Sequence, residues 1–362
     1  MRDRSTMRCL IRAGGQRRRC ALLGGDTAAF CASLVDGLAH LESTLRDDDG
    51  GGSGGGGGVG SSVSMRWCAD AMRMVMRMQR ELLDIFKKAD VPVGVGDVSY
   101  GGDGGCWFEH YMQETAALLD FCNAFKSAVS RLHRYCMVVD FAAQVGCAAA
   151  GVSLVHGGWL EETDDATSSS AVRGRLSDVK AVVSETELLL LGRKIMSSSS
   201  SSGGAGDDDA SGMVVVMLVA KITMAVVSMF VLQALTSPIP TDADGRQCTL
   251  GYSAVPVPEL QPWCESLSVI NDRFQRRASV AEHERVAMVV KAMINAKMEG
   301  EVRHGKEEDD MVRHVELLRT RSGELREGVQ MFDCVLDEVF DEVIKGRNEM
   351  LGIFRDKALT LG

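Results

Sequence analysis

WFEHYMQETAALLDFCNAFKSAVSRLHRYCMVVDFAAQVG, residues 107 to 146, is the stretch on which the fold turns. Phe108, Tyr111, Thr115, Leu118, Cys122, Phe125, Val129, Leu132, Cys136, Val139 and Ala143 follow one another in steps of three and four without a break. Side chains spaced this way stay on one face of a helix, and at about 1.5 Å per residue the stretch predicts a rod of roughly 60 Å. Met112, Leu119 and Phe121 widen the apolar face beyond a two-stranded seam. The width predicts a bundle of several helices rather than a free coiled coil.

Toward the N-terminus, residues 94 to 105 (GVGDVSYGGDGG) read as loop. A helix is predicted over about 65–90, with Met72, Val75, Leu82 and Phe86 inward. It stops at Val91-Pro92, because a residue before proline disfavours the helical region. Nine glycines crowd into residues 50 to 60, within a linker of 47–64 that has nothing to bury. Before it, residues 26–46 carry Phe30, Leu34, Leu38, Leu41 and Leu45 on one helical face, with Asp26 as the expected N-cap. Residues 1–25 form an Arg-rich extension, with Arg2, Arg4, Arg8, Arg12, Arg17, Arg18 and Arg19 against Asp3 alone. Such an arm reads as a disordered extension, with an organelle transit peptide or a lipid contact as the other readings.

Toward the C-terminus, the spacing predicts a shorter helix over 171–196, with Val172, Leu176, Val179, Val183 and Leu190 inward. Together, 26–196 make an N-terminal helical region. A Ser/Gly/Asp linker, 197–212, leads to MVVVMLVAKITMAVVSMFVLQAL (213–235), a hydrophobic helix, and then to a Pro-containing loop, 236–262. The C-terminal helical region, 263–362, is read as two helices. One spans about 263–298 on Leu267, Ile270, Phe274, Val286, Val289 and Met293. The other spans about 309–357 on Leu318, Ser322, Leu325, Val329, Phe332, Leu336, Val339 and Val343, interrupted near Arg347 and resuming at Met350 and Phe354.

Composition agrees with an all-α, elongated bundle of long heptad-like helices. Six prolines and 5% aromatics argue against sandwiches and barrels, which need frequent turns and aromatic strands. A net charge of −10 argues against nucleic acid as a partner. Eleven cysteines without a C-x-x-C pair read as reduced, which points to a cytoplasmic setting.

The 213–235 helix has two readings. At about 35 Å it is long enough to cross a bilayer core of about 30 Å. Lys221 near its middle opposes insertion by about 2.5–3.5 kcal/mol, against a gain of about 0.3–0.6 for each Leu, Ile, Phe or Val. As a core helix it would place the Lys221 ammonium on a carboxylate or at the surface. The first reading makes the protein a single-pass membrane anchor, the second a cytoplasmic or membrane-associated bundle.

No motif names an activity. DEVFDE (337–342) sets Asp337, Glu338 and Asp341 at helical spacing, as in the Mg²⁺ motif of all-helical prenyl-diphosphate enzymes. The heptad turns these acids outward and no second metal motif accompanies them, so a solvated acidic face is expected and no metal or cofactor. Neither a phosphate-binding glycine loop nor a zincin helix is present. Arg276-Arg277-Ala278-Ser279 has the form of a basophilic kinase site, with Ser279 as the acceptor; an ordinary exposed helix turn is the plainer reading.

Trp107, Tyr111, Leu118, Leu119, Asp120, Cys122, Asn123, Ala124, Ser130, Arg131 and Leu132 match a pattern of the plant BYPASS/ROH-type family, which this chain resembles. The preceding SMRWCADAMRMVMRMQRELLDIF (64–86), the apolar stretch ending near Pro238, Glu324-Leu325-Arg326-Glu327-Gly328 and Gly346-Arg347-Asn348-Glu349 extend the likeness over most of 26–356. The Arg-rich start and the low-complexity inserts depart from it. The resemblance implies a non-enzymatic helical adaptor acting at or near membranes, in developmental signalling or exocyst-linked secretion. It implies protein partners such as Exo70-type exocyst subunits, and no catalytic residues.

Overall fold

The apolar seams fall on seven helices in a computed structural model that describes residues 25–47, 62–88, 107–145, 207–236, 260–276, 279–300 and 307–360. In chain order these are α1 (Gly25–Asp47), α2 (Met65–Lys88), α3 (Trp107–Val145), α4 (Asp207–Thr236), α5 (Gln261–Arg276), α6 (Ala281–Gly300) and α7 (Glu307–Thr360). Their backbones make no strand among the described residues, only one isolated parallel bridge, Val63 with Val280. The fold is all-α. The Arg-rich extension and the expected 171–196 helix lie outside the described residues.

Three boundaries differ from the sequence reading. α1 opens at Gly25, so Asp26 stands in the first turn rather than at the cap and faces Lys88 at 3.3 Å. α4 opens at Asp207, inside the stretch read as linker. The helix expected over 263–298 is two helices, α5 and α6, with the chain extended at Ser279 and Val280 between them.

α7 is the spine. Its 54 residues lie against α2, α3 and α6. Along α2 the contacts advance together: Met65 at Gly328, Arg80 on Glu342 at 2.7 Å, Lys87 on Glu349 at 2.6 Å. The two helices are therefore parallel. Along α3 the contacts run in opposite senses: Phe108 on Phe354, Lys126 on Asp333, Asp140 on Arg326. That pair is antiparallel. α4 closes the ring from the far side, packed on α2 and α3, and α1 and α5 cover it. The N-terminal and C-terminal helical regions thus share one core.

Close approach is bought with small side chains. A Cβ on Gly328 would sit 2.9 Å from Met65 Cβ, so only glycine lets α2 lie this near α7. Aromatic rings fill the wider gaps. Phe274 of α5 stacks on Phe230 of α4 at 4.6 Å and meets Trp67 of α2 at 5.2 Å. The Trp67 indole donates to the Leu41 carbonyl of α1 at 3.0 Å, which satisfies its one polar atom in a buried place.

Candidate functional site at the α3–α7 seam

The residues that carry the family resemblance come from stretches more than two hundred positions apart, and the antiparallel α3–α7 pair brings them together. Tyr111 is buried one turn into α3. Its ring meets Phe86 of α2 edge-on at 5.8 Å, and its hydroxyl lies where a side chain of residue 346 would be, 2.6 Å from the Cβ that Gly346 lacks. Val339, Val343, Gly346 and Met350 continue the buried row of α7 in steps of four, three and four. The heptad is therefore unbroken near Arg347. One of its inward positions is a glycine, filled from across the seam by tyrosine.

Arg347, next in line, turns to α3. Its Nη1 donates to the Met112 carbonyl at 2.6 Å and to Thr115 Oγ1 at 2.7 Å, while the Thr115 hydroxyl donates to the Tyr111 carbonyl at 2.7 Å. Thr115 is fully buried, so this guanidinium satisfies polar atoms that water does not reach. Burial, with the nearby Glu349 charge adding to it and Arg347 opposing, pushes the Tyr111 phenol up to about 12. Glu349 itself pairs with Lys87 of α2 and holds that ammonium charged, above its ordinary range. Gly346, Arg347 and Glu349 each serve a different neighbour; Asn348 is exposed.

The rest of the α3 motif divides by face. Leu118 and Cys122 are buried, and Leu119, Ala124 and Arg131 are half-buried. Burial pushes the Cys122 thiol up to about 12, that of an inert core residue rather than a nucleophile. Asp120 and Asn123 are exposed and share an outer face with Ser130. Trp107 is the first residue of α3.

The acidic DEVFDE stretch does not converge on a point. Asp337 reaches Lys126 of α3 at 2.8 Å, and Glu342, on the other flank of α7, reaches Arg80 of α2. A hydrogen bond from Arg80 holds the Glu342 carboxyl below its ordinary range. Glu338 and Asp341 face solvent. Among the described residues, no three His, Cys, Asp or Glu side chains are placed to hold a metal ion.

Lys221 finds a carboxylate, one of the two settings that the core-helix reading allowed. Its Nζ lies 3.0 Å from Glu114 of α3, between Tyr111 and Leu118 in sequence. Further polar contacts tie α4 inward: the Trp263 indole of α5 donates to Thr223 Oγ1 at 2.8 Å, and the Gln79 amide of α2 to Met224 Sδ at 3.7 Å. Sequence reasoning missed Glu114, Thr115 and Arg347 as a polar group. The signal present was the apparent heptad break at 346–347, which marked the place without naming the partner.

Ser279 stands between α5 and α6. Its carbonyl accepts from the Val63 N–H at 2.9 Å, the Val63 carbonyl accepts from Ala281 N–H at 2.9 Å, and its hydroxyl donates to Glu284.

Set against protein-family models, curated proteins and solved structures, the chain matches none. The described residues define a class by architecture: an all-α bundle braced on one long helix, with a polar group sealed into the α3–α7 seam.

Proposed function

We propose that the protein is a non-enzymatic helical adaptor that works through protein contacts at or near membranes, with an Exo70-type exocyst subunit as the partner class. The reading rests on the sequence resemblance. The observation that supports it is the division of the resembling residues into two sets. Tyr111, Leu118, Cys122 and Gly346 are buried in the core, with the Tyr111 hydroxyl against Gly346 across the α3–α7 seam. Asp120 and Asn123 make no hydrogen bond or ion pair with the described residues, and sit outward on α3, a helix packed against both α7 and α4. Polar side chains that contribute nothing to the fold, on a surface fixed by those that do, suit recognition of a partner.

The same reading takes α4 as a core helix. Its 22-residue apolar stretch, Val215–Thr236, passes the length and hydropathy test for a membrane span, but 83% of its apolar window is covered by the rest of the protein. The Lys221–Glu114 pair supports this reading too, since leaving the bundle would strand Glu114.

Immobilised Exo70-type subunit tests the proposal. Wild-type protein is expected to be retained at low salt, and an Asp120→Ala/Asn123→Ala variant to be lost from the resin with unchanged helical circular dichroism. Failure of the wild type to bind, or equal binding by the variant, counts against it.

A further inference from the structure

We propose that Ser279 is a phosphorylation site and that phosphate there releases the contact joining the first turns of α2 and α6. The inference goes beyond the adaptor reading and stands whether or not that reading holds.

The recognition element is in the sequence: Arg276 and Arg277 precede Ser279 by three and two residues. The structure adds the setting. Ser279 lies between two helices rather than within one, on backbone that is extended at the bridge of Val63 with Val280. It is half-buried, and the segment carrying it is held by two backbone hydrogen bonds, Val63 N–H to Ser279 carbonyl and Ala281 N–H to Val63 carbonyl.

The chemistry sets the direction of the effect. Two helix N-termini meet here, each carrying about half a positive charge. That charge is already matched: the Glu282 carboxylate accepts from the Met65 N–H of α2 at 3.1 Å, and the Glu284 carboxylate accepts from the Ser279 hydroxyl. Arg285 is occupied by Glu324 at 3.2 Å. In the transfer, Ser279 Oγ attacks the γ-phosphorus of a nucleoside triphosphate. The new O–P bond replaces the bond to the β-γ bridging oxygen, the nucleoside diphosphate leaves with that electron pair, and the hydroxyl proton passes to the kinase's base. The product brings about −1.5 to −2 charges and only acceptors to a place where the hydroxyl had been a donor to a carboxylate. Repulsion from Glu282 and Glu284, both already bonded in this segment, then outweighs the attraction of the two helix ends and of Arg276 and Arg277, three and two residues earlier in sequence, and the Val63 and Ala281 hydrogen bonds open.

The test incubates full-length protein with MgATP and the purified catalytic subunit of a basophilic serine kinase, then maps phosphopeptides and amide hydrogen exchange. Phosphate is expected on Ser279, and incorporation is expected to fall about tenfold in an Arg276→Ala/Arg277→Ala variant, which keeps the serine and the bridge. The Val63 and Ala281 amides are expected to exchange about tenfold faster after modification. Three results overturn the proposal: no phosphate on wild-type Ser279, undiminished incorporation in the double-arginine variant, or unchanged exchange at Val63 and Ala281 in the phosphorylated protein.

Discussion

At Gly346 the missing side chain is what admits the Tyr111 hydroxyl to the α7 row. Gly346→Ala is therefore expected to destabilise the protein by about 1–3 kcal/mol, the range for forcing a methyl into a packed interior. Chemical denaturation measures it, and adding Tyr111→Phe, which removes the clashing oxygen, should recover part of the loss. A small residue at 346 was visible in the sequence; its reason was not, because the atom it accommodates comes from residue 111. His283 gives a second prediction. It is buried against the Tyr135 ring, and burial pushes its imidazole down to about 4 from an ordinary 6.5. Between those values the unfolded chain binds a proton that the folded chain does not, so stability falls as pH drops through the window and levels off below it. The loss approaches about 3 kcal/mol at the acid end. Melting curves at a series of pH values, wild type against His283→Gln, isolate it: the variant should show a shallower fall between pH 6.5 and 4.

Among the helices, α4 is where a local reading was most ambiguous. Hydropathy alone describes a membrane span and a core helix equally well, because both exclude water from every face. Lys221 has a carboxylate partner on α3, the arrangement that the core-helix reading offers for it. Lys221→Leu alone leaves the Glu114 carboxylate, itself only 14% exposed, without its cation, and should cost about 2 kcal/mol, less than the ~3–5 of a fully buried pair. Lys221→Leu with Glu114→Leu should recover most of that loss, and a double-mutant cycle by thermal unfolding reads the coupling. The junction of α5 and α6 was illegible for a different reason. No glycine or proline marks it, although Val280 is the one large apolar residue between Phe274 and Val286. Ser279-Val280-Ala281-Glu282 does have the form of a capping box, which was the available signal. Here the glutamate accepts from the Met65 N–H at the N-terminus of α2, a contact 217 positions away in sequence.

Over the whole molecule, the fold class and the long helices were legible because heptad spacing is a local property. Which helix lies beside which was not. Periodicity says that a face must be covered and is silent about the cover, so nothing in Phe332 or Leu336 pointed to α3 rather than α5. The interlocking of the two helical regions on α7 bears on topology: α4 is wrapped by α1, α2, α3 and α5, which lie on both sides of it in sequence. A spanning α4 would require those four neighbours to give up their shared core. Alkaline carbonate treatment of membranes from expressing cells is therefore expected to release the protein into the supernatant. Retention in the pellet after carbonate, with release only by detergent, would overturn the core-helix reading of α4.

The small bridge between Val63 and Val280 has a consequence for alignment. Helices packed by heptads can slide past one another by one repeat, about 10.5 Å, and still present apolar residues to apolar residues. α2 and α6 both ride on α7, so each has that freedom. Hydrogen bonds between named backbone atoms have none. By joining the starts of both helices, the bridge acts as an indexing pin that fixes their axial positions relative to each other on the same spine. A chain lacking it would keep its helix content and lose the single setting of α2 relative to α6.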